Sequence, residues 1–339
     1  MEEDVNRFLN EHMELIILPT EQCNFRCLYC NQHFKQNKMH PETVVAIKRL
    51  LDQRIPELKM LIIQWFGGEP LMAHDIILDI MGYIAKIKET VNPSLKVAST
   101  VTTNAYLLSP ERLAELVALG VDDFQITLDG AKKEHDMLRK KADGSGTFDR
   151  IWSNITAAHR TSLRFDAIIR LHVNAENSES MKEVLEQIAK EMGDDERFKV
   201  FIRLLSKFGS PNDSTLPITE DTVPVKELKE FAQQLSLSQY KLDIYNETSG
   251  YLCYASKPFS YVIRANGDIS KCTVALYAKP NIVGHLNSDG TIQLDESLIN
   301  RWSRGMFSGD AKELACPLKG LYRKDTESNL KGERLKVLV

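Results

Sequence analysis

The chain has 339 residues, of which 43% are apolar and 27% are charged, so it can bury a core and is not a disordered polymer. Its net charge of −4 argues against a protein whose main task is neutralising nucleic-acid phosphates, and we expect no nucleic-acid partner. Six cysteines are too few for a disulfide scaffold, and they are not scattered. Three lie close together near the start, and three lie in the last quarter.

The first residues, MEEDVNRFLNEH, carry no export signal, because they lack an apolar stretch. The most apolar runs, Leu15–Leu18 and Met60–Phe66, are too short to cross a membrane. We therefore predict a cytoplasmic location without membrane contact, where thiols stay reduced. The charged segment Lys324–Val339 is expected to be loosely ordered.

Short apolar runs alternate with longer amphipathic stretches over the first two thirds of the chain, and most runs are apolar on both faces, as buried parallel strands are. The predicted strands are Glu14–Pro19, Met60–Phe66, Lys96–Thr103, Asp123–Leu128, Asp166–Val173 and Lys199–Leu205. The predicted helices are Pro41–Arg54, Ile76–Thr90, Pro110–Leu119, Phe148–His159, Met181–Met192 and Pro224–Leu235. Six such units predict an α/β fold with a partial (β/α)6 TIM-like barrel, and a doubly wound sheet is the alternative.

The pattern changes after about residue 237 to shorter, alternating segments. Turn signals at Gly267-Asp268 and Asp289-Gly290 indicate a hairpin. We predict a barrel domain over 1–237, a small C-terminal α+β domain that contains the hairpin over 238–325, and a charged tail over 326–339.

The first cysteine group, Cys23-x3-Cys27-x2-Cys30, directly follows the first predicted strand. Active sites of parallel α/β barrels lie at the carboxyl ends of the strands. Three thiolates on one loop can hold three irons of a [4Fe–4S] cluster and leave the fourth iron open. A closed zinc site needs a fourth ligand, and His33 is near enough to keep zinc as an alternative.

The string CNFRCLYC resembles the signature of the radical S-adenosylmethionine (SAM) family, with Tyr29 at its aromatic position. Further segments resemble family motifs, and several of them follow successive predicted strands. They are Gly67-Gly68-Glu69-Pro70, Thr103-Asn104, Thr127-Leu128-Asp129-Gly130, His135-Asp136 with Arg139, Gly146-Thr147-Phe148-Asp149, and Asn154-Ile155. The order resembles the subgroup of sulfatase-maturating and peptide-modifying enzymes.

This resemblance implies that an open iron of the cluster chelates SAM and that one electron cleaves it to a 5′-deoxyadenosyl radical. Gly67 and Gly68 then let backbone approach the ligand, and Glu69 with neighbouring backbone holds the methionine ammonium. The remaining SAM-site residues implied by the resemblance are Pro70, Asn104, Thr127 at the ribose, Arg139 at the methionine carboxylate, and Tyr29 and Leu205 beside the adenine. Arg170 on the fifth predicted strand is the weaker candidate for the role of Arg139.

Taken singly, these motifs have simpler readings. Gly67-Gly68 and Asp129-Gly130 are also compatible with plain turns, and Arg139 with a surface charge. His135 and Asp136 are compatible with a surface histidine and a helix cap.

The second cysteine group, Cys253-x13-Gly267-x4-Cys272, resembles the opening of the SPASM and twitch auxiliary-cluster domains. The resemblance implies one auxiliary iron–sulfur cluster, expected to be [4Fe–4S], in a shortened twitch-like domain with Cys316 as third ligand. Its fourth ligand stays open, and three buried structural thiols are the alternative.

The leading functional hypothesis is a radical SAM enzyme that abstracts hydrogen from a residue of a ribosomally made precursor peptide and leads to a crosslink, an oxidation or an epimerisation. A small-molecule dehydrogenase, a two-cluster electron carrier and a zinc-binding module are the alternatives. Expected partners are a reductant such as flavodoxin or ferredoxin and, because the first strand begins almost at once, a separate peptide-recognition protein. We assign no catalytic acid or base; the weak candidates are Asp129, Asp136, Tyr254 and Tyr261.

Overall fold

The computed structural model describes residues 10–207, 209–240 and 251–321. The predicted tail, Lys324–Val339, and the first nine residues lie outside the described part of the chain.

Twelve strands and nine helices lie in these ranges. The strands are β1 (His12–Ile17), β2 (Phe25–Cys27), β3 (Met60–Trp65), β4 (Lys96–Thr103), β5 (Asp123–Leu128), β6 (Arg139–Lys141), β7 (Asp166–Val173), β8 (Phe198–Leu204), β9 (Ser260–Ile263), β10 (Asp268–Ser270), β11 (Ile282–Leu286) and β12 (Ile292–Leu294). The helices are α1 (Pro41–Arg54), α2 (His74–Thr90), α3 (Pro110–Ala118), α4 (Lys132–Leu138), α5 (Phe148–His159), α6 (Ser178–Met192), α7 (Val223–Gln234), α8 (Glu296–Ser308) and α9 (Ala311–Ala315).

Six parallel strands form the barrel wall in the order β1-β3-β4-β5-β7-β8. This order never reverses, whereas a doubly wound sheet has a reversal point, so the predicted partial barrel is confirmed. Helical apolar faces cover the sheet, and the core includes the fully buried Ile47, Trp65 and Ile80. All six predicted strands and six predicted helices are present, with ends that differ by at most three residues.

The C-terminal strands continue the same sheet. β9 pairs with β1 in parallel, with Leu15 opposite Tyr261, and β10, β11 and β12 follow in antiparallel order. The predicted hairpin is present as β9–β10, and its turn includes Gly267, whose φ of +87° favours glycine. Cys272 of the second cysteine group thereby lies two residues beyond a strand of the same sheet.

The sequence pattern did not predict the two-stranded sheet of β2 and β6, in which each strand is only three residues long. Helices α4, α8 and α9 were also not predicted. Among the described helices, none combines the length and the apolar character needed to cross a membrane.

Candidate functional site

A cavity of about 260 Å³ opens at the carboxyl ends of the barrel strands. Ten of the residues predicted for the cluster and cofactor site line it: Cys23, Cys27, Tyr29, Cys30, Gly67, Gly68, Asn104, Thr127, Arg139 and Arg170. Glu69, Pro70 and Leu205 are buried outside its lining. Leu205 instead donates its backbone N–H to the carbonyl of Val173.

The first cysteine loop is held by backbone pairing. Its strand β2 pairs with β6 so that Cys27 lies opposite Arg139. Backbone N–H groups point at two of the sulfurs, since Phe25 donates to Cys23 Sγ at 3.3 Å and Gln32 donates to Cys30 Sγ at 3.4 Å. Such donors favour thiolate over thiol.

Burial raises the pKa of the Cys27 thiol to about 11 and raises the pKa values of Cys23 and Cys30 as well. A metal must therefore displace protons when it binds here. Among the described residues, no three His, Cys, Asp or Glu side chains surround one point closely enough for a single metal ion. Three thiols on one loop match the ligand set of an iron–sulfur cluster, which spreads its thiolate ligands over several irons. The ring of His33 stacks on Tyr277, with centroids 3.8 Å apart.

Gly67 and Gly68 bring the end of β3 against the start of the cysteine loop. A Cβ on Gly67 would meet the Thr20 carbonyl oxygen at 2.2 Å, and one on Gly68 would meet the Gln22 carbonyl oxygen at 2.2 Å. These glycines thus permit a close approach between two protein segments, in addition to forming part of the cavity wall.

The carboxylate of Glu69 is fully buried and already accepts three hydrogen bonds. They come from the Thr103 hydroxyl at 2.7 Å, the Asn104 N–H at 2.7 Å and the Leu71 N–H at 3.0 Å. Burial raises the pKa of Glu69, and these donors oppose that rise. The side chain predicted to face the ligand therefore ties the end of β3 to the end of β4.

Asn104 connects the hydrogen bonds of Glu69 to the first cysteine group. Its amide donates to Asn24 Oδ1 at 2.8 Å and lies 3.9 Å from Cys23 Sγ. The loop behind Asn104 is held by Asn154, whose amide donates to the carbonyls of Ala105 and Tyr106 at 2.7 and 3.0 Å.

Asp129 is the buried centre of a polar network beside the cavity. It accepts a 2.6 Å hydrogen bond from the Tyr29 hydroxyl, lies 3.7 Å from the Arg139 guanidinium, and lies 3.2 Å from His172 Nδ1. Burial would raise the pKa of Asp129, but the His172 bond and the Arg139 charge hold it well below its ordinary value. Arg139 also donates to the phenol oxygen of Tyr29, so it is an internal ion-pair partner rather than a surface charge.

The His135-Asp136 motif is connected to this network through Thr147, which contacts both the motif and Arg139. Asp136 Oδ1 accepts the N–H groups of Thr147 and Phe148 at 2.7 and 2.9 Å and so caps α5, as the simpler reading of the motif supposed. His135 is fully buried rather than on the surface, and its Nε2 lies 3.1 Å from the Thr147 hydroxyl. That hydroxyl donates to the carbonyl of Arg139 at 2.6 Å.

Two further arginines line the cavity. Arg170 on β7 donates to the Thr127 hydroxyl through Nη2 at 2.9 Å. Arg203 on the neighbouring strand β8 also faces the cavity, and its Nε is buried without a hydrogen-bond partner. Sequence analysis missed Arg203 and His172; the available signal was a charged or titratable residue inside an otherwise apolar strand.

The segments that carry the first and last cysteines of the second group contact each other, because the backbone N–H of Cys253 donates to the carbonyl of Leu314, two residues before Cys316, at 2.9 Å. Burial raises the pKa of the Cys253 thiol to about 11, and the charges of Cys272 and Cys316 add to that rise. Asn281 fixes the backbone of Cys272, because the Oδ1 of Asn281 accepts the N–H of Cys272 at 2.8 Å and its amide donates to the Cys272 carbonyl at 2.8 Å.

The two cysteine groups are linked through the cavity wall. Thr273 and Val274, which directly follow Cys272, line the same cavity as the first group. The amide of Asn31, next to Cys30, donates to the Val274 carbonyl at 2.7 Å.

The two candidate tyrosines differ in position. Tyr254 bonds to the Thr273 hydroxyl at 2.8 Å, beside this link. Tyr261 is packed in the core under Lys271, away from the cavity.

The family model described as "Radical SAM superfamily" matches residues 17–188, slightly more than half of the chain. A GTP 3′,8-cyclase of Cyanothece sp. is 28% identical over 173 residues, which are 49% of this chain and 50% of the relative. A cysteine-type anaerobic sulfatase-maturating enzyme of Clostridium novyi is 26% identical over 215 residues, 60% of this chain and 54% of the relative. The chain spans about half or less of the first curated relatives that it matches.

Two solved structures share the fold. Native anSMEcpe with bound AdoMet and Kp18Cys peptide gives a TM-score of 0.63 at 17% identity, over 86% of this chain and 82% of that one. SuiB from Streptococcus suis bound to precursor peptide SuiA gives 0.59 at 18% identity, over 91% of this chain and 69% of that one.

Proposed function

The chain belongs to the radical SAM superfamily, and we propose that it abstracts a hydrogen atom from a residue of a ribosomally made peptide. Members of the superfamily bind SAM on an open [4Fe–4S] cluster. The observation that carries the proposal is the shared cavity, which is lined by three cysteines of one group and by the two residues that follow Cys272 of the other.

Cys23, Cys27 and Cys30 are the proposed ligands of the SAM cluster. When bound and reduced, this cluster supplies one electron that breaks a carbon–sulfur bond of SAM, giving methionine and a 5′-deoxyadenosyl radical that takes a substrate hydrogen. The Nε atoms of Arg139 and Arg203 are buried without a hydrogen-bond partner, and both residues line the cavity, which supports an anionic ligand there.

The other proposed SAM contacts follow from the cavity lining. The Gly67-Gly68 backbone faces the ligand, and Arg170 receives the methionine carboxylate, because Arg139 already pairs with Asp129. Thr127 is the proposed ribose contact, and Tyr29 and Asn104 complete the wall. Glu69 acts by bracing that wall from behind.

Cys253, Cys272 and Cys316 are the proposed ligands of one auxiliary iron–sulfur cluster. Cys253 is hydrogen-bonded to the segment that precedes Cys316, and Cys272 is followed by Thr273 and Val274, which line the cavity. An electron leaving a substrate radical would therefore have a short covalent route out of the cavity. An open coordination position that binds the substrate directly competes with this role.

A peptide substrate is favoured by the relatives. One curated relative is named a sulfatase-maturating enzyme, and two structural neighbours are described with bound peptides, one of them a precursor peptide. Flavodoxin or ferredoxin as reductant, and a separate peptide-recognition protein, remain part of the proposal.

Anaerobic reconstitution with SAM and dithionite tests the proposal. We expect 5′-deoxyadenosine and about eight irons per chain, since two cubanes carry four each. Cys27→Ala should abolish 5′-deoxyadenosine and remove about four irons. Short peptides encoded beside the gene are then added, and a mass change that depends on SAM supports the peptide reading.

A small-molecule substrate is the second candidate, because several curated relatives are GTP 3′,8-cyclases. Adding GTP in place of peptide separates the two. Conversion of GTP with no change in any neighbouring peptide would overturn the peptide reading.

A further inference from the structure

Two half-buried arginines line the cavity and form no ion pair with an Asp or Glu of the described ranges. They are Arg170 on β7 and Arg203 on β8. Arg139 differs, because its charge is balanced by the buried Asp129. A guanidinium without a paired carboxylate at a cavity wall can bind an anionic group of a ligand.

The two arginines lie at different depths. Arg170 is opposite Phe201, whereas Arg203 is opposite His172, so Arg203 is two residues nearer the carboxyl end of the sheet. At about 3.3 Å per residue, this places the Arg203 backbone roughly 7 Å nearer the barrel opening. The deeper Arg170 is fixed on Thr127, while Arg203 keeps a buried Nε with no partner.

Arg203 lines the same cavity as Thr273 and Val274, the two residues that follow Cys272. The three cysteines of the first group also line this cavity. A group held by Arg203 would therefore lie in the space that both cysteine groups border.

We infer that Arg203 binds a carboxylate of the substrate, while Arg170 serves the methionine carboxylate of SAM. Once the SAM carboxylate pairs with Arg170, the positive charge of Arg203 is the one left without an anion. A substrate carboxylate supplies one negative charge, and its two oxygens match the planar fork of a guanidinium. The inference rests on the proposed function and narrows its substrate to a peptide that presents an acidic side chain or its C-terminal carboxylate.

Binding of defined peptides to the reconstituted holoenzyme with SAM, without reductant, tests this inference. The probes are Ac-AAEAAA-NH2, its glutamine counterpart Ac-AAQAAA-NH2, Ac-AAQAAA-OH with a free C-terminus, and glutarate, each measured by calorimetry. We expect at least one carboxylate peptide to bind about ten-fold or more tightly than Ac-AAQAAA-NH2. Arg203→Gln should remove this preference, and Arg203→Lys should restore part of it.

Arg160→Gln, at an exposed arginine outside the cavity, is the matched control and should keep the full preference. The inference is overturned if no carboxylate probe, glutarate included, binds the wild type more tightly than Ac-AAQAAA-NH2, or if the preference persists in Arg203→Gln. If the preference persists in Arg203→Gln and the reduction potential of the auxiliary cluster shifts in that variant, Arg203 acts on the auxiliary cluster instead. A preference for glutarate alone would support the carboxylate site and contradict the peptide substrate, so the two proposals fail separately.

Discussion

The hydroxyl of Tyr29 donates a 2.6 Å hydrogen bond to the carboxylate of Asp129, which is 100 residues away in the sequence. Arg139 donates to the same phenol oxygen. The bond therefore ties the first cysteine loop to the end of β5 and to β6. The aromatic position of the cysteine motif has a structural task here in addition to lining the cavity.

Removing this hydroxyl should loosen the loop. Tyr29→Phe leaves a buried carboxylate and a buried guanidinium each without one partner, which costs about 1–3 kcal/mol of the free energy of unfolding. We also expect fewer irons retained per chain. Urea unfolding of the apo protein and iron analysis of the reconstituted protein measure the two effects. Tyr261→Phe, in the core away from the cavity, is the control, and equal losses in both variants would contradict this reading.

Gly68→Ala should disturb cluster assembly without touching a ligand. The added Cβ would lie 2.2 Å from the backbone oxygen of Gln22, so the chain just before Cys23 must move. We expect at least half of the SAM-cluster iron to be lost, because cluster sites require their ligands in a fixed arrangement.

Gly82→Ala is the matched control, because nothing lies within 4 Å of its added Cβ. It lies inside α2, where alanine favours the helix by about 1 kcal/mol, so this variant should keep its iron and gain stability. Normal iron content in Gly68→Ala would show that the loop tolerates the displacement.

Sequence patterns predicted the barrel because its strands are apolar on both faces and its helices are amphipathic, and both signals are local. They could not predict the role of Glu69, since two of its three hydrogen-bond donors come from Thr103 and Asn104 on another strand. The motif alone suggested a carboxylate that faces a ligand. Only the packing of β3 against β4 shows that this carboxylate is already used.

Arg203 illustrates a second limit. A charged residue in an apolar strand indicates a polar site on one face of the sheet, but it does not identify the group that the charge binds. The missing counter-charge becomes visible only when the neighbouring strands β7 and β8 are placed side by side. The small sheet of β2 and β6 was missed because three residues on each side give no periodic signal.

The ion pair of Asp195 with Arg197 lies outside the cavity. It should make the free energy of unfolding depend on pH in the acid range. Burial would raise the pKa of Asp195, but Arg197 and His159 bind it and hold that pKa at about 2. A carboxyl whose pKa is lowered on folding stabilises the protein above its ordinary value near 4, and the contribution is lost as pH falls towards 2. Because the pair is partly exposed, we expect about 1 kcal/mol.

Asp195→Asn should therefore be less stable than the wild type at pH 6, and the difference should shrink as pH falls from 5 to 2.5. Urea unfolding at each pH measures it, with Asp194→Asn, at an exposed carboxylate that forms no ion pair within the described ranges, as the control. A constant difference across this range would show that the pair does not titrate as described.

The auxiliary site is best tested by Cys272→Ala. This cysteine is fixed by Asn281, precedes the two residues that line the cavity, and is not one of the three cysteines of the first loop. Its loss should remove about four irons and abolish product, while 5′-deoxyadenosine still forms because the SAM cluster is intact. Cys27→Ala gives the opposite pattern, with no 5′-deoxyadenosine at all. If Cys272→Ala instead turned over product at the wild-type rate, the second group would be three structural thiols, and the link through Thr273 and Val274 would serve packing alone.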